Sequence, residues 1–295
     1  MKATFILLAL CAPVLRANAD WVLEFQSASD RAETGSTYQV GTGADRWITP
    51  MSLESNITMC VWLKNPTPVP QASGSGADLS NIIGAGYLTN VGGFGAGLSR
   101  SAGDWTIVFQ TRHYDGSLNQ TPARVNVADI VSDGRWHFWA FVYDFGYGYR
   151  IHLDGALAAE SPWIPSSGVT TAYFYPRRSF GIGKEMWNSF TGRVAEVSLW
   201  REPLDAATVA ELRKHRPAPD APGLVGHWAL DDGEGATTAA DDVDLDALFA
   251  GWGATTGKKL HPMTLSGPVW VQDATFRVPS YEDWLHSKAT VIVVR

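Results

Sequence analysis

The chain has 295 residues, enough for one large hydrophobic core and at most two. Its 45% hydrophobic content argues for a folded globule, and 18% charged residues with 29 Gly, 16 Pro and 13 Trp fit an all-β protein rich in turns. The formal net charge is −7, and no basic run exceeds Arg177-Arg178 or Lys258-Lys259, so nucleic acid is excluded as an expected partner.

Lys2, the apolar stretch 5–11 and Ala17-Asn18-Ala19 have the charge, apolar segment and small-residue cleavage site of a signal peptide spanning residues 1–19. That stretch is far shorter than the ~20 residues of a spanning helix, so no transmembrane segment is expected. The expected location is secreted and extracellular, or periplasmic or cell-surface in a bacterium. Cleavage leaves Cys60 as the one cysteine, hence no internal disulfide and an inert buried thiol.

Residues 21–25 predict a first strand with Trp21, Leu23 and Phe25 on one face, followed by a loop to about Asp45. Residues 57–63 predict a strong strand, and the Pro-, Gly- and Ser-rich stretch 66–80 a loop. Short strands are predicted at 82–83, 94–98, 105–111 and 124–131. The next segment carries the most information. Gly134-Arg-Trp-His-Phe-Trp-Ala-Phe-Val-Tyr-Asp144 is apolar at nearly every position, while 149–153 alternates, with Tyr149, Ile151 and Leu153 opposite Arg150 and His152. With Phe145-Gly-Tyr-Gly148 as the joint, this predicts a hairpin of one buried and one half-buried strand.

Strands at 180–183 and 194–200 follow, and then the one clear helix, near residues 205–214. Asp205 is its expected N-cap, Leu204 and Val209 a hydrophobic staple, and Arg213, Lys214 and His215 suit the negative end of the dipole. Residues 216–223 hold three prolines and predict a linker. Beyond them 224–230 and the β-branched run 289–294 predict strands. The chain therefore divides into a sandwich over 20–215 and a C-terminal extension over 216–295, whose strands are expected to pack on the same sandwich.

Several segments resemble the LamG-like jelly-roll family of the concanavalin A-like lectin/glucanase superfamily. Ile57-Thr-Met-Cys-Val-Trp-Leu-Lys64 is similar to its "FTVSAWVK" strand, and Gly134-Arg-Trp-His137 with Ile151-His-Leu-Asp-Gly155 to its central hairpin. Phe190-Thr-Gly-Arg-Val-Ala-Glu-Val-Ser-Leu-Trp200 resembles the closing strand, and Trp21-Val-Leu-Glu-Phe-Gln26 the first. The resemblance implies two antiparallel sheets packed as a jelly-roll sandwich, with ligands held by rim loops or the concave face. It does not fix the ligand.

Retaining glucanases of that superfamily carry carboxylates at alternate positions of one strand, two of them ~5–5.5 Å apart. Here residues 193–200 offer Glu196 alone, with Val194 and Ser198 expected on its face, so the chain is read as not an enzyme. A Gly-x-Ser-x-Gly elbow and a His-Glu-x-x-His motif are both missing from the sequence. His137 and His152, on adjacent strands, are expected to hold structural hydrogen bonds. The acids of 241–246 read as a solvated loop, because Ala247 replaces the turn glycine of a calcium loop. The resemblance implies a calcium at Asp30 and Glu196, although each lacks the neighbouring acid the family often has.

Sugar recognition needs an aromatic platform beside hydrogen-bonding groups. The candidates are Phe145 and Tyr147 at the hairpin tip, Trp163, Tyr173 and Tyr175, and Trp187. The expected function is non-catalytic recognition of a glycan or glycoprotein. Two alternatives stand beside it: a structural or adhesive protein that binds other proteins, and a divergent glycan-active hydrolase.

Overall fold

The computed structural model describes residues 20–34, 53–54, 56–68, 78–85, 93–101, 104–112, 122–162, 173–174, 180–183, 190–243, 262–280 and 282–284. In chain order they form β1 (Asp20–Phe25), β2 (Arg31–Glu33), β3 (Leu53–Glu54), β4 (Ile57–Pro68), β5 (Asp78–Ala85), β6 (Gly93–Ser101), β7 (Asp104–Arg112), β8 (Ala123–Asn126) and β9 (Trp136–Asp144). Then come β10 (Gly148–Leu153), β11 (Ala156–Pro162), β12 (Tyr173–Phe174), β13 (Phe180–Gly183), β14 (Phe190–Trp200), α1 (Ala206–Leu212), β15 (Leu224–Trp228), β16 (Thr238–Ala239), β17 (Met263–Ser266) and β18 (Val269–Asp273).

Two antiparallel sheets pack face to face. The first runs β11-β10-β9-β4-β14-β1-β18, with β15 also paired to β14; the second runs β16-β17-β2-β13-β5-β6-β7-β8. Strands β3 and β12 form a separate pair. Between the sheets lies one large core. Met59, Val61, Trp139, Phe141, Tyr143, Tyr149 and Ile151 come from the first sheet, Phe94, Leu98, Ile107 and Phe109 from the second. The Tyr149 ring meets Phe109 edge-on at 5.3 Å, and its hydroxyl shares a 2.6 Å hydrogen bond with Thr111 Oγ1, joining the sheets across the core.

The outer face of the first sheet is also covered, which explains why β9 is apolar at both alternating sets. Phe138, Ala140 and Val142 lie in a second cluster with Trp200, Leu204, Val209 and Leu212, under α1. Helix α1 starts as its sequence dictates: Asp205 accepts from Thr208 N at 2.7 Å, and staple residues Leu204 and Val209 are both buried. The basic residues after it lie beyond the last helical turn. Arg213 turns toward Asp154 at 3.9 Å, and Lys214 pairs with Glu211 at 2.7 Å.

Some expected boundaries differ. Strand β4 continues through Pro66 to Pro68, where a loop was expected, because a bulge at Gly192 opposite it absorbs the break in the ladder. The expected strand at 124–131 stops at Asn126 and turns. Residues 216–223 are not a free linker: Arg216 pairs with Glu196 and Asp231, and its N–H donates to Pro279 O, so this segment is pinned to the sheet. Strands β15 and β18 join the first sheet and β16 and β17 the second. The run 289–294 and the leader 1–19 lie outside the described residues.

A bulge between Ala195 and Val197 makes β14 unlike a regular strand. Glu196 sits in it at φ 44°, where β1, paired to the first half of β14, gives way to β15, paired to the second. Strict alternation would put Val194, Glu196 and Ser198 on one face. Instead Val194 and Val197 face the core, while Ala195 packs on the opposite side. The extra residue resets the alternation, and the carboxylate turns outward beneath the 215–217 segment.

Candidate functional site: the β9–β10 hairpin tip

The tip is built by a three-residue connection, Phe145-Gly146-Tyr147. Gly146 and Gly148 take φ of 88° and 130°, which the reversal requires and which a side chain would strain. Tyr147 N–H donates to Asp144 O at 3.0 Å and closes the turn. Asn56, next to β4, accepts from Phe145 N–H at 2.9 Å and ties the tip to the sheet.

This geometry separates the two aromatic candidates. Phe145 is half-buried and packs against the core, so it is not the exposed platform its sequence position allowed. Tyr147 points into water with 81% of its surface exposed. Beside it opens a recess of about 370 Å³ lined by Tyr147, Gly148, Arg150, Glu160, Ser161 and Pro162. Register explains the lining, since β10 and β11 pair Arg150 with Glu160 and Gly148 with Pro162. Arg150 also holds Asp144 at 3.3 Å. An aromatic ring, a guanidinium donor, a carboxylate acceptor and a hydroxyl therefore meet in one shallow recess.

Glu160 and Ser161 escaped sequence reading because Ala156 to Pro162 holds neither β-branched nor aromatic residues to mark a strand. Arg150 was legible as an outward position of the alternating arm. Of the other candidates, Tyr173 lies in β12 paired with Glu54, while Trp163, Tyr175 and Trp187 lie outside the described residues.

The two residues implied for calcium are both occupied. Asp30 is buried in its own turn, where Oδ2 accepts from Gln26 N at 2.6 Å and Ser27 N at 3.0 Å, and Oδ1 from Ser27 Oγ at 2.5 Å. Glu196 Oε1 meets Arg216 Nε at 2.5 Å, and Oε2 meets His227 Nε2 at 2.8 Å. His227 Nδ1 reaches Asp242 Oδ2 at 3.1 Å, and Asp241 Oδ1 accepts from His227 N–H at 3.0 Å. Burial opposes charge on His227, but Asp242 and Glu196 outweigh it and raise its pKa to about 9, so the ring is a cation donating from both nitrogens. Glu196 thus faces two cations, and Asp30 has its donors in its own turn. Neither fits a calcium ion as placed. Among the described residues no group of three or more His, Cys, Asp or Glu is positioned to hold a metal.

The Glu196 network was not foreseen from the sequence. Asp241, expected in a solvated loop, is buried within it. The cavity beside Glu196 and His227, lined also by Cys60, Trp62 and Ser198, measures about 10 Å³, room for about one water and no substrate. Its role is structural. His137 also takes the structural role expected of it, bridging Asp154 at 2.9 Å and Asp133 at 3.1 Å. His152 pairs with Ala140 instead, and is not opposite His137.

A family model, Laminin_G_3, described as the concanavalin A-like lectin/glucanases superfamily, matches residues 35–210. The chain belongs to this family. The Laminin_G_3 match spans β3 to α1 and so includes the hairpin tip and its recess. The fold is similar to that of a protein from Bacteroides ovatus ATCC 8483, provisionally described as carbohydrate binding. The two share 15% identity over 86% of this chain and 60% of that one, with a TM-score of 0.51. This chain thus spans less than two thirds of that protein's length. A heptameric SAP-like pentraxin from Limulus polyphemus matches at 10% identity over 69% of this chain and 84% of its own, with a TM-score of 0.42. A search of curated proteins finds no match. No helix among the described residues is long and apolar enough to cross a membrane.

Proposed function

We propose that this protein is a non-catalytic glycan-binding module that meets its ligand at the β9–β10 tip. The observation that carries the reading is Tyr147: a large aromatic ring held in water by a braced turn, beside a recess with Arg150, Glu160 and Ser161. A pyranose has an apolar C–H face and a rim of hydroxyls, and a phenol ring flanked by donors and acceptors complements both. The description of the Bacteroides ovatus protein as carbohydrate binding agrees with this reading, at the level of fold. The non-catalytic part is supported by Glu196, the carboxylate of β14, which is consumed by Arg216 and His227 instead of facing a cleft.

In this reading the mature protein acts beyond the cytoplasmic membrane after loss of its leader, and β1 begins at Asp20, directly after the expected cut. A glycan array on the mature protein tests the function. A restricted set of bound glycans is expected, and Tyr147→Ala is expected to weaken them at least about tenfold with Tm unchanged. A flat response across diverse glycans, or full binding by the variant, sinks the reading.

A further inference from the structure

On the outer side of the first sheet a groove of about 950 Å³, with a lining distinct from that of the tip recess, runs between α1 and residues 217–222. It lies at the upper end of the ~300–1,000 Å³ range of ligand pockets. Trp200, Leu204 and Leu212 form its floor, and Pro217, Pro219 and Pro222 one wall. Proline offers no N–H, so that wall presents mainly apolar ring surface. The same groove, apolar over about half its lining, is also lined by Thr208, His215 and the acidic residues Glu202, Asp205, Glu211, Asp220 and Glu282.

Those charges are poorly neutralised. None of the described residues lining the groove is Lys or Arg. Lys214 serves Glu211, and Arg213 faces Asp154. Among the described residues Glu202, Asp220 and Glu282 form no ion pair, while Asp205 caps the helix and feels the charge of Arg150 nearby. Low-dielectric walls lined by one sign of charge concentrate the opposite sign from solution.

We propose that this groove docks an extended peptide segment of another protein in which lysine or arginine alternates with apolar residues. An extended chain sends successive side chains to opposite sides. Its apolar set settles over Leu204 and Leu212 against the prolines, while its cations reach Glu202 and Asp220 at the edge. An acidic partner is repelled, and among the described residues no cluster of three acids or histidines stands close enough to chelate a bare cation.

Fluorescence anisotropy on the full-length protein tests this. The probes are a labelled peptide alternating lysine with leucine and proline, and its counterpart with glutamate for lysine. The lysine peptide is expected to bind saturably and to weaken as sodium chloride is raised. Glu202→Lys combined with Asp220→Lys, both exposed, is expected to cost at least about tenfold in affinity with Tm retained. Tyr147→Ala is expected to leave this binding unchanged, which keeps the groove distinct from the glycan site. Equal binding of the glutamate peptide, no saturable binding, or no loss in the double variant overturns the proposal. So does binding that emerges only after residues 285–295 are removed, since the groove would then be filled from within the chain.

Discussion

His227 and His152 lie under the same sheet face and are expected to respond to pH in opposite directions. His227 is fully enclosed and charged, its pKa raised from an ordinary 6.5 to about 9. Its contribution is therefore complete below pH 6.5 and lost as pH climbs from there through 9, an effect of roughly 3 kcal/mol. A melting series from pH 6 to 10 should fall across that window, and His227→Gln should be both less stable and nearly flat there. The variant's loss should be of that same roughly 3 kcal/mol, because buried Glu196 keeps Arg216 and Asp242 is exposed enough to be solvated. His152 is 2% exposed, and neither ring nitrogen has a hydrogen-bond partner among the described residues. Burial, with Arg150 nearby, lowers its pKa. It therefore stabilises above pH 6.5 and ceases to as pH falls through its own lowered value. His152→Leu, which removes a polar group with no partner, should melt no lower than the parent at neutral pH and resist acid better. Calcium, by the same reasoning from occupied oxygens, should leave Tm unmoved whether added or chelated; a rise would show that Asp30 or Glu196 gives up its present donors.

At the level of elements, the two bulges of β14 decide where its side chains go. Gly192 has φ 139° in the first, and a Cβ there would stand 2.7 Å from Asn65 O. Gly192→Ala should therefore cost about 2 kcal/mol or more by denaturant unfolding, whereas an alanine at exposed Gly146 meets nothing and only the backbone strain applies. These bulges also mark the limit of what sequence reading reached. The strands β1, β4, β9 and β10 were legible because their apolar residues recur with a period of two or fill every position. The face of Glu196 was not, because one inserted residue shifts the alternation and nothing local announces it. Strands β2, β11 and β16 to β18 are short or lack β-branched runs, and their pairing depends on partners far along the chain. The candidate site divided the same way: Tyr147 could be read from a glycine-flanked aromatic tip, but Glu160 and Ser161 needed the register of β11.

For the whole molecule, the strands outside the family match are not accessory. β18 pairs with β1 along most of its length, β17 with β2, and β15 with the second half of β14. Trp228 of β15 stacks on Phe180 of the opposite sheet at 5.3 Å and belongs to the main core. A chain ended after His215 would open that core and strip an edge from each sheet. It is expected to be insoluble or to lack a cooperative transition, while the full chain should show a single calorimetric one. Two separable transitions would mean that the two regions fold independently.

Cys60 gains a practical meaning from where β4 runs. Burial in the second cluster pushes its thiol up to about 12, so the folded protein holds no usable nucleophile there. In a chain without Cys11, modification by a thiol reagent has to wait for the sheet and its covering helix to part. The rate of alkylation then becomes a clock for that opening, readable by mass without adding any probe to the chain.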